Sequence, residues 1–285
     1  MFRKVIAVCL VGWIFMIGIP LLAGEAPKVV RIGVIPTVSS TEVSEMWKPV
    51  LKYLSHRLGV RFRLYTASDY AGIIEAMRFK KIEIAYFGPK SYVEAHDRAN
   101  AWAIVREKGL DGSTGYYSII ITKKDSGLSS IRDLRGKVFA FNDPNSTSGY
   151  LVPMSYFLTK LNIVPEEYFS RVIFSGSHEA SIMAVKTGKV DAASTNNLDL
   201  ARVISFGKAS KEDFNVIWRS KLIPGAPIAV RGDLPYDFVQ KLRKAFLEIP
   251  SRVLKGLRIT GYVQTDDSDY DPIREIKEVI KQIKK

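Results

Sequence analysis

From Val29 the chain moves repeatedly between two hydrophobic rhythms: short apolar runs, and longer stretches with an apolar residue every three or four positions. VVRIGVIP is an apolar strand ended by Pro36. SSTE, Ser39 to Glu42, has capping-box spacing and precedes a helix whose Met46, Val50, Leu51, Leu54 and Leu58 share one face before Gly59 stops it. VRFRLYT alternates as a half-buried strand. Strand, helix, strand opens an α/β domain with a largely parallel sheet. Ser68 or Asp69 then caps a helix from Tyr70 to Phe79, IEIAYF is a buried strand, and Gly88-Pro89 turns into another helix. AWAIVRE and YYSIIITKK read as strands joined by GLDGSTG, and SIRDLRGK as a capped turn.

The second half uses the same grammar. VFAFN is a strand, DPNSTSG a turn-rich loop, and YLVPMSYFLTKL carries apolar residues at helical spacing. RVIFSGSHEASIMAVKTGKVDAASTNN gives strand, Ser/Gly turn, helix and strand once more. AMRFKKIEIAYFG and AVKTGKVDAASTN match at Ala76/Ala184, Lys81/Lys189, Ile82/Val190, Glu83/Asp191 and Ala85/Ala193, at a constant offset of 184 − 76 = 108 residues. This pseudo-repeat predicts one helix-strand unit in each of two similar lobes. NVIWRSKLIPGAPIAV is a strand that crosses back, turns at Pro224-Gly225 and continues as a strand. DLPYDFVQKLRKAFLEIP then forms a capped helix, and the chain ends in a helix after the acidic loop DDSDYD, which lacks the glycine and final glutamate of a helix-loop-helix calcium site.

The candidate chemistry lies where loops meet helices. DPNSTSG delivers Ser146, Thr147 and Ser148 to a helix start, where unpaired amides and the positive end of the dipole favour an anion. Gly149 there removes the Cβ that would hold a ligand off the backbone. The alternative is that Ser146 only caps the helix. His178, in SGSHEAS, either donates its ring N–H to an anion or caps its own helix. Tyr70 and Tyr86 sit at element ends, facing a cleft or closing a core edge. Three scattered histidines assemble no metal set, and the chain has no nucleophile elbow, Walker loop or zinc-protease signature, so neither metal, cofactor nor enzymatic activity is expected.

Composition adds a location. Residues 1–24 begin with Arg3 and Lys4, run apolar from Val5 to Leu22 and reach Ala23 and Gly24, the layout of an export signal cut before Glu25, or of an uncleaved anchor. Cys9, the single cysteine, sits inside the apolar run and is not placed for lipid attachment. A mature chain of ~260 residues then has no disulfide or thiolate chemistry and is held by its core, which suffices for two lobes. Its formal charge falls from +13 to +11 (13 − 2) without Arg3 and Lys4, suiting an anionic ligand or surface.

DYAGIIEAMRF, IAYFGPKSY, DGSTGYYS, DPNSTSGYLVP, SGSHEAS, GKVDAASTNN and LIPGAP together resemble, in order and spacing, the phosphonate-binding proteins that serve phosphonate, phosphite and phosphate ABC importers. The resemblance runs from about Val30 to Ile249 and is most specific in DPNSTSGYLVP. It implies a type II periplasmic-binding fold: two α/β lobes, residues 25–120 with 220–285 and residues 121–219, joined by two hinge strands near Ser118 to Lys123 and Val216 to Lys221. It also implies a monomer in the periplasm that hands a small phosphorus oxyanion to a membrane permease. A sensor feeding a receptor kinase or chemotaxis system is the first alternative, and an exported phosphatase or phosphonate hydrolase the second.

Carried onto this chain, the family's oxyanion ligands fall on Tyr70, Tyr116, Ser146, Thr147, Ser148 and His178. Tyr116 is found only through the resemblance, which gives Tyr86 no direct role. Family members that take aminoalkylphosphonates carry acids where this chain has Asn196, Asn197 and Ala226. These three positions are therefore expected to set specificity, and the amine-binding end to be absent.

Overall fold

The computed structural model describes residues 27–284, so the export segment and Cys9 lie outside the described residues. Strands β1 (Val29–Val34), β2 (Arg61–Thr66), β3 (Ile84–Tyr86) and β4 (Ala101–Gly109) alternate with helices α1 (Ser40–Leu58), α2 (Tyr70–Arg78) and α3 (Pro89–Ala99). A two-residue β5 (Gly115–Tyr116) leads into β6 (Ser118–Lys123), β7 (Val138–Phe141), α4 (Val152–Lys160), α5 (Pro165–Tyr168) and β8 (Arg171–Phe174). Then come α6 (His178–Lys186), β9 (Ala192–Asn196), α7 (Asn197–Ser205) and β10 (Phe214–Arg219). The short β11 (Ile223–Pro224), β12 (Pro227–Arg231), α8 (Tyr236–Leu247), β13 (Ile259–Gln264) and α9 (Asp271–Ile283) follow.

All the strands but the short β5 and β11 form two sheets, ordered β2-β1-β3-β12-β4-β13 and β8-β7-β9-β6-β10. Each begins with three parallel strands, the earliest in the chain at their centre, and each then takes an antiparallel strand beside β3 or β9. The sheets are therefore mixed, not largely parallel, because β12 and β6 both enter from the opposite lobe. The pseudo-repeat is structural: Tyr70 and His178 open α2 and α6, Ile84 and Ala192 open β3 and β9, and both pairs keep the offset seen in the sequence.

Local signals explain the elements. Ser39 accepts from the Glu42 amide and Glu42 returns a bond to the Ser39 amide, so the expected capping box starts α1. Asp69, not Ser68, caps α2. The α1 face Val43, Met46, Trp47, Val50 and Leu54 is buried with Val30 and Ile32 in the larger core, and Ile121, Ala140, Ile182 and Val203 make the second lobe's own cluster.

The lobes are joined by β5 and β11, which pair antiparallel as Tyr116↔Ile223 and Gly115↔Pro224. A Cβ on Gly115 would lie 2.4 Å from the Ile223 carbonyl, so only glycine lets the two crossing segments touch. The segments expected to cross, Ser118 to Lys123 and Val216 to Lys221, instead supply paired strands of the second sheet, β6 inside it and β10 at its edge. The crossing lies just before one and just after the other. Helix α9 packs on α3 and α4, touching both lobes. Among the described residues no helix is long and apolar enough to cross a membrane.

Candidate functional site

Parallel strands deliver the chain to one edge of each sheet, and the helices that leave those edges begin at a common cleft. Tyr70 opens α2, Gly88 caps α3, Ser146 caps the turn before α4, His178 opens α6 and Asn196 caps α7. All five residues line a single cavity of about 30 Å³, room for a few water-sized groups. Aligned helix starts make it favourable to negative charge without a free cation.

Of the residues expected from sequence, Tyr70, Tyr116, Ser146, Thr147, Ser148, His178, Asn196 and Ala226 line this cavity. Asn197 does not. It opens α7 facing away, where its Oδ1 accepts from the Tyr117 amide at 2.7 Å and ties α7 to the hinge. Tyr86 does line the cavity, with its ring packed on Trp47.

The Ser-Thr-Ser segment starts a single π-helical turn, Thr147–Leu151, before α4. Each hydroxyl oxygen there already accepts a bond. Ser146 Oγ takes the Gly149 amide at 3.0 Å, Thr147 Oγ1 takes the Lys90 amide at 2.8 Å, and Ser148 Oγ takes Asn196 Nδ2 at 3.3 Å. A hydroxyl whose lone pair is engaged keeps its O–H free to donate, so all three can present protons to an anion. The two readings of Ser146 thus coexist, because its oxygen caps the turn while its proton remains available. Burial pushes the Tyr70 and Tyr116 phenols up, so both stay protonated donors.

Gly149 has a different reason from the one expected. A Cβ there would lie 2.4 Å from Asn142 Cγ, so the glycine makes room for the buried Asn142 amide, not for a ligand. Asn142 in turn accepts from Ser181 Oγ at 2.8 Å, fastening the turn to α6.

His178 is buried, and burial lowers its pKa, with Arg202 adding to the effect and Asp199 opposing it, so the ring is neutral near pH 7. Its Nδ1 lies 3.0 Å from Thr195 Oγ1 and its Nε2 3.7 Å from Asp199 Oδ2. With Thr195 donating to Nδ1, Nε2 carries the proton, beside Asn196 Nδ2 at 3.2 Å and the Asp199 carboxylate.

The sequence reading missed the charged groups at the far end: Glu107, Asp199 and Arg202 also line the cavity. Arg202 donates to Asp199 Oδ1 at 2.9 Å and to the Leu257 carbonyl at 3.1 Å, and reaches Glu107 Oε1 at 3.5 Å. Since Arg202 belongs to α7 and Glu107 to β4, the pair spans the two lobes. Burial alone would raise Asp199, but the imidazolium that His178 forms in acid, Arg202 and a 2.6 Å bond from Asn196 Nδ2 outweigh it, so Asp199 titrates low and is ionised near pH 7. Burial pushes Glu107 up to about 7, against the pull of Arg202. Two cues were present: Glu107 sits inside a strand of otherwise apolar inward positions, and Asp199 and Arg202 follow the helix cap Asn196 at three-residue steps. Carboxylates are therefore present where the amine end was expected to be empty, but one guanidinium already holds both. Among the described residues no cluster of histidine, cysteine or carboxylate could hold a metal.

Two lobes of mixed sheet, a paired hinge and a cleft of helix N-termini make this a two-lobed binding protein of the type II periplasmic-binding fold. The profile of the ABC-transporter phosphonate periplasmic substrate-binding proteins matches residues 32–270, and the chain belongs to that family. It is 37% identical over 268 residues to the phosphonates-binding periplasmic protein of Escherichia coli K12, covering 90% of this chain and 78% of that one. It is 28% identical to the phosphate-import protein PhnD of Mycolicibacterium smegmatis, over 89% of this chain and 86% of that one. The crystal structure of a binding protein component of an ABC phosphonate transporter from Pseudomonas aeruginosa superposes with a TM-score of 0.86 at 35% identity, covering 91% of this chain and 88% of that one.

Proposed function

We propose that this chain captures a compact phosphorus oxyanion, namely phosphate, phosphite or methylphosphonate, outside the cytoplasmic membrane and delivers it to an ABC permease. The observation that carries the reading is the convergence of neutral donors from both lobes: Tyr70 from one, Ser146, Thr147, Ser148 and His178 from the other, and Tyr116 from the hinge. Helix dipoles of about 0.3 to 2 kcal/mol each and charge-assisted hydrogen bonds of about 1.5 to 3 kcal/mol suffice for a micromolar to nanomolar site. Binding of this kind needs no covalent step, and the protein acts as a carrier and not as an enzyme. The similarity to a phosphonates-binding and a phosphate-import protein supports the ligand class.

Selectivity follows from the far end. An ammonium entering there finds Asp199 and Glu107 both turned to Arg202, so it gains no free carboxylate yet must be desolvated. Compact ligands whose other side is small or apolar meet Ala226 and Asn196 without that cost. In this reading residues 25–120 with 220–285 and residues 121–219 move as lobes about the β5/β11 crossing, the protein works as a monomer, and residues 1–24 direct its export. A thermal-shift panel of phosphate, phosphite, methylphosphonate, 2-aminoethylphosphonate and sulfate tests the reading. The first three are expected to raise the melting temperature most. A larger shift with 2-aminoethylphosphonate would overturn the selectivity, and a shift with sulfate alone would overturn the ligand class.

A further inference from the structure

Away from the cavity, the lobes meet again at the rim of the cleft, through the first turns of α1 and α6. The Glu179 amide donates to the Thr37 carbonyl at 3.1 Å, and the Ser39 amide donates to Glu179 Oε2 at 3.0 Å. Ser39 is the cap of α1, so a carboxylate from the second lobe adds to the first lobe's own Glu42 at the same helix start. Two carboxylates at one helix start repel each other, and the dipole of α1 offsets only part of that. Lys208 supplies the rest: its Nζ lies 2.6 Å from Glu42 Oε1 and also bonds Glu179. Lys208 follows α7 and Glu179 follows His178, so both come from the second lobe, while Glu42, Ser39 and Thr37 belong to the first. Glu179 and Ser39 also line a recess of about 460 Å³ that opens between the lobes beside the cavity.

We propose that Lys208, Glu179 and Glu42 form an ionic latch that holds the lobes shut, making Lys208 a positioning residue that sets how slowly ligand leaves without touching it. When the lobes part, Glu42 and Glu179 separate, their repulsion vanishes and Lys208 loses one of its two partners. Lys208 is thus needed only in the shut state. Removing it leaves two acids facing each other across the rim, which opens the cleft. Because the Glu179 backbone is bonded to Thr37 one residue after His178, strain at the rim reaches the ring that faces the ligand.

The proposal rests on the lobes closing over a ligand and not on which oxyanion is bound. Release of methylphosphonate is followed by stopped-flow tryptophan fluorescence in the full mature chain, and the radius of gyration by small-angle scattering with and without ligand. Lys208→Gln is expected to speed release about five- to tenfold with association within about twofold, as for a network of partly buried ion pairs. Glu42→Gln added to Lys208→Gln is expected to recover part of the loss, since it removes the repulsion from the opposite lobe. A merely structural role of Lys208 within its own lobe would not be relieved by a substitution in the other. An unchanged release rate in Lys208→Gln, or no recovery in the double variant, overturns the latch. If the wild type binds no phosphorus oxyanion, the ligand reading fails separately. The latch then stands on a larger radius of gyration for Lys208→Gln than for wild type, and equal radii overturn it.

Discussion

Replacing Thr147 by alanine tests the site most directly, because this hydroxyl accepts one bond from the opposite lobe and, in the proposed function, gives its proton to the ligand. Thr147 Oγ1 accepts from the Lys90 amide at the start of α3, across the cleft, at 2.8 Å, and its own proton is left for the ligand. Thr147 is 2% exposed, so neither group can turn to water in the shut state. The alanine variant loses a charge-assisted bond of about 1.5 to 3 kcal/mol and leaves a buried amide unpaired at about 1 to 3 kcal/mol. With partial relaxation the total is about 2 to 4 kcal/mol, or roughly 30- to 1000-fold in affinity. In the open state the Lys90 amide faces water, so the ligand-free variant is expected to melt within about 2 °C of wild type. Thr147→Ser keeps the hydroxyl and gives up one methyl worth about 0.8 kcal/mol, so it should bind within about fourfold of wild type. Calorimetry with methylphosphonate on the three proteins decides it. Alanine and serine variants of equal affinity, or an alanine variant within threefold of wild type, would refute the assignment of Thr147 as a bridge between lobe and ligand.

Glu107→Gln should tighten anion binding above pH 7 by roughly tenfold and not below pH 5.5, because it removes a charge that wild type carries only above about 7. Comparing the two proteins at each pH cancels the ligand's own titration, and a ratio that does not change with pH would refute the cause. The same group acts on stability: its folded pKa is raised, so its contribution is full below the unfolded value near 4.5 and is lost as pH rises through about 7. Chemical denaturation should therefore show wild type losing stability relative to Glu107→Gln between pH 4.5 and 8. Ala226→Asp should shift preference toward 2-aminoethylphosphonate, since its carboxylate would face the cavity with no arginine assigned to it, and competition calorimetry with no change in preference would count against that. Gly149→Ala should destabilise the second lobe by about 1 to 3 kcal/mol, because its Cβ would meet Asn142 at 2.4 Å, whereas a melting temperature equal to wild type would mean that Asn142 moves aside.

The sequence alone determined the local vocabulary and much of the site. Capping boxes, period-two and period-3.6 stretches and the 108-residue offset are short-range features, and α1, α2, α6 and the strands around them fall where those features lie. The offset also puts Tyr70 and His178 at the same place in their units, each at the start of its helix. The hydroxyls of Ser146, Thr147 and Ser148 were legible as candidates because a turn-rich loop ahead of a helix places them at its amide-rich start, where capping and anion binding use the same groups.

Tertiary structure decided what depends on contacts between distant segments. Glu107 and Arg202 are 95 residues apart, and no period links a strand in one lobe to a helix in the other. Their pairing brings Glu107 to the guanidinium that Asp199 already holds from its own helix. Asn197 shows the same limit at close range: next in sequence to Asn196, it faces the hinge, because the chain changes there from strand to helix and the side-chain directions change with it. Gly149 looked like a ligand position and is a packing position, since only the fold brings Asn142 against it. The crossing point of the chain was displaced for a related reason: β6 and β10 carry the apolar pattern of a hinge strand and of a sheet strand alike, and only their pairing tells the two apart.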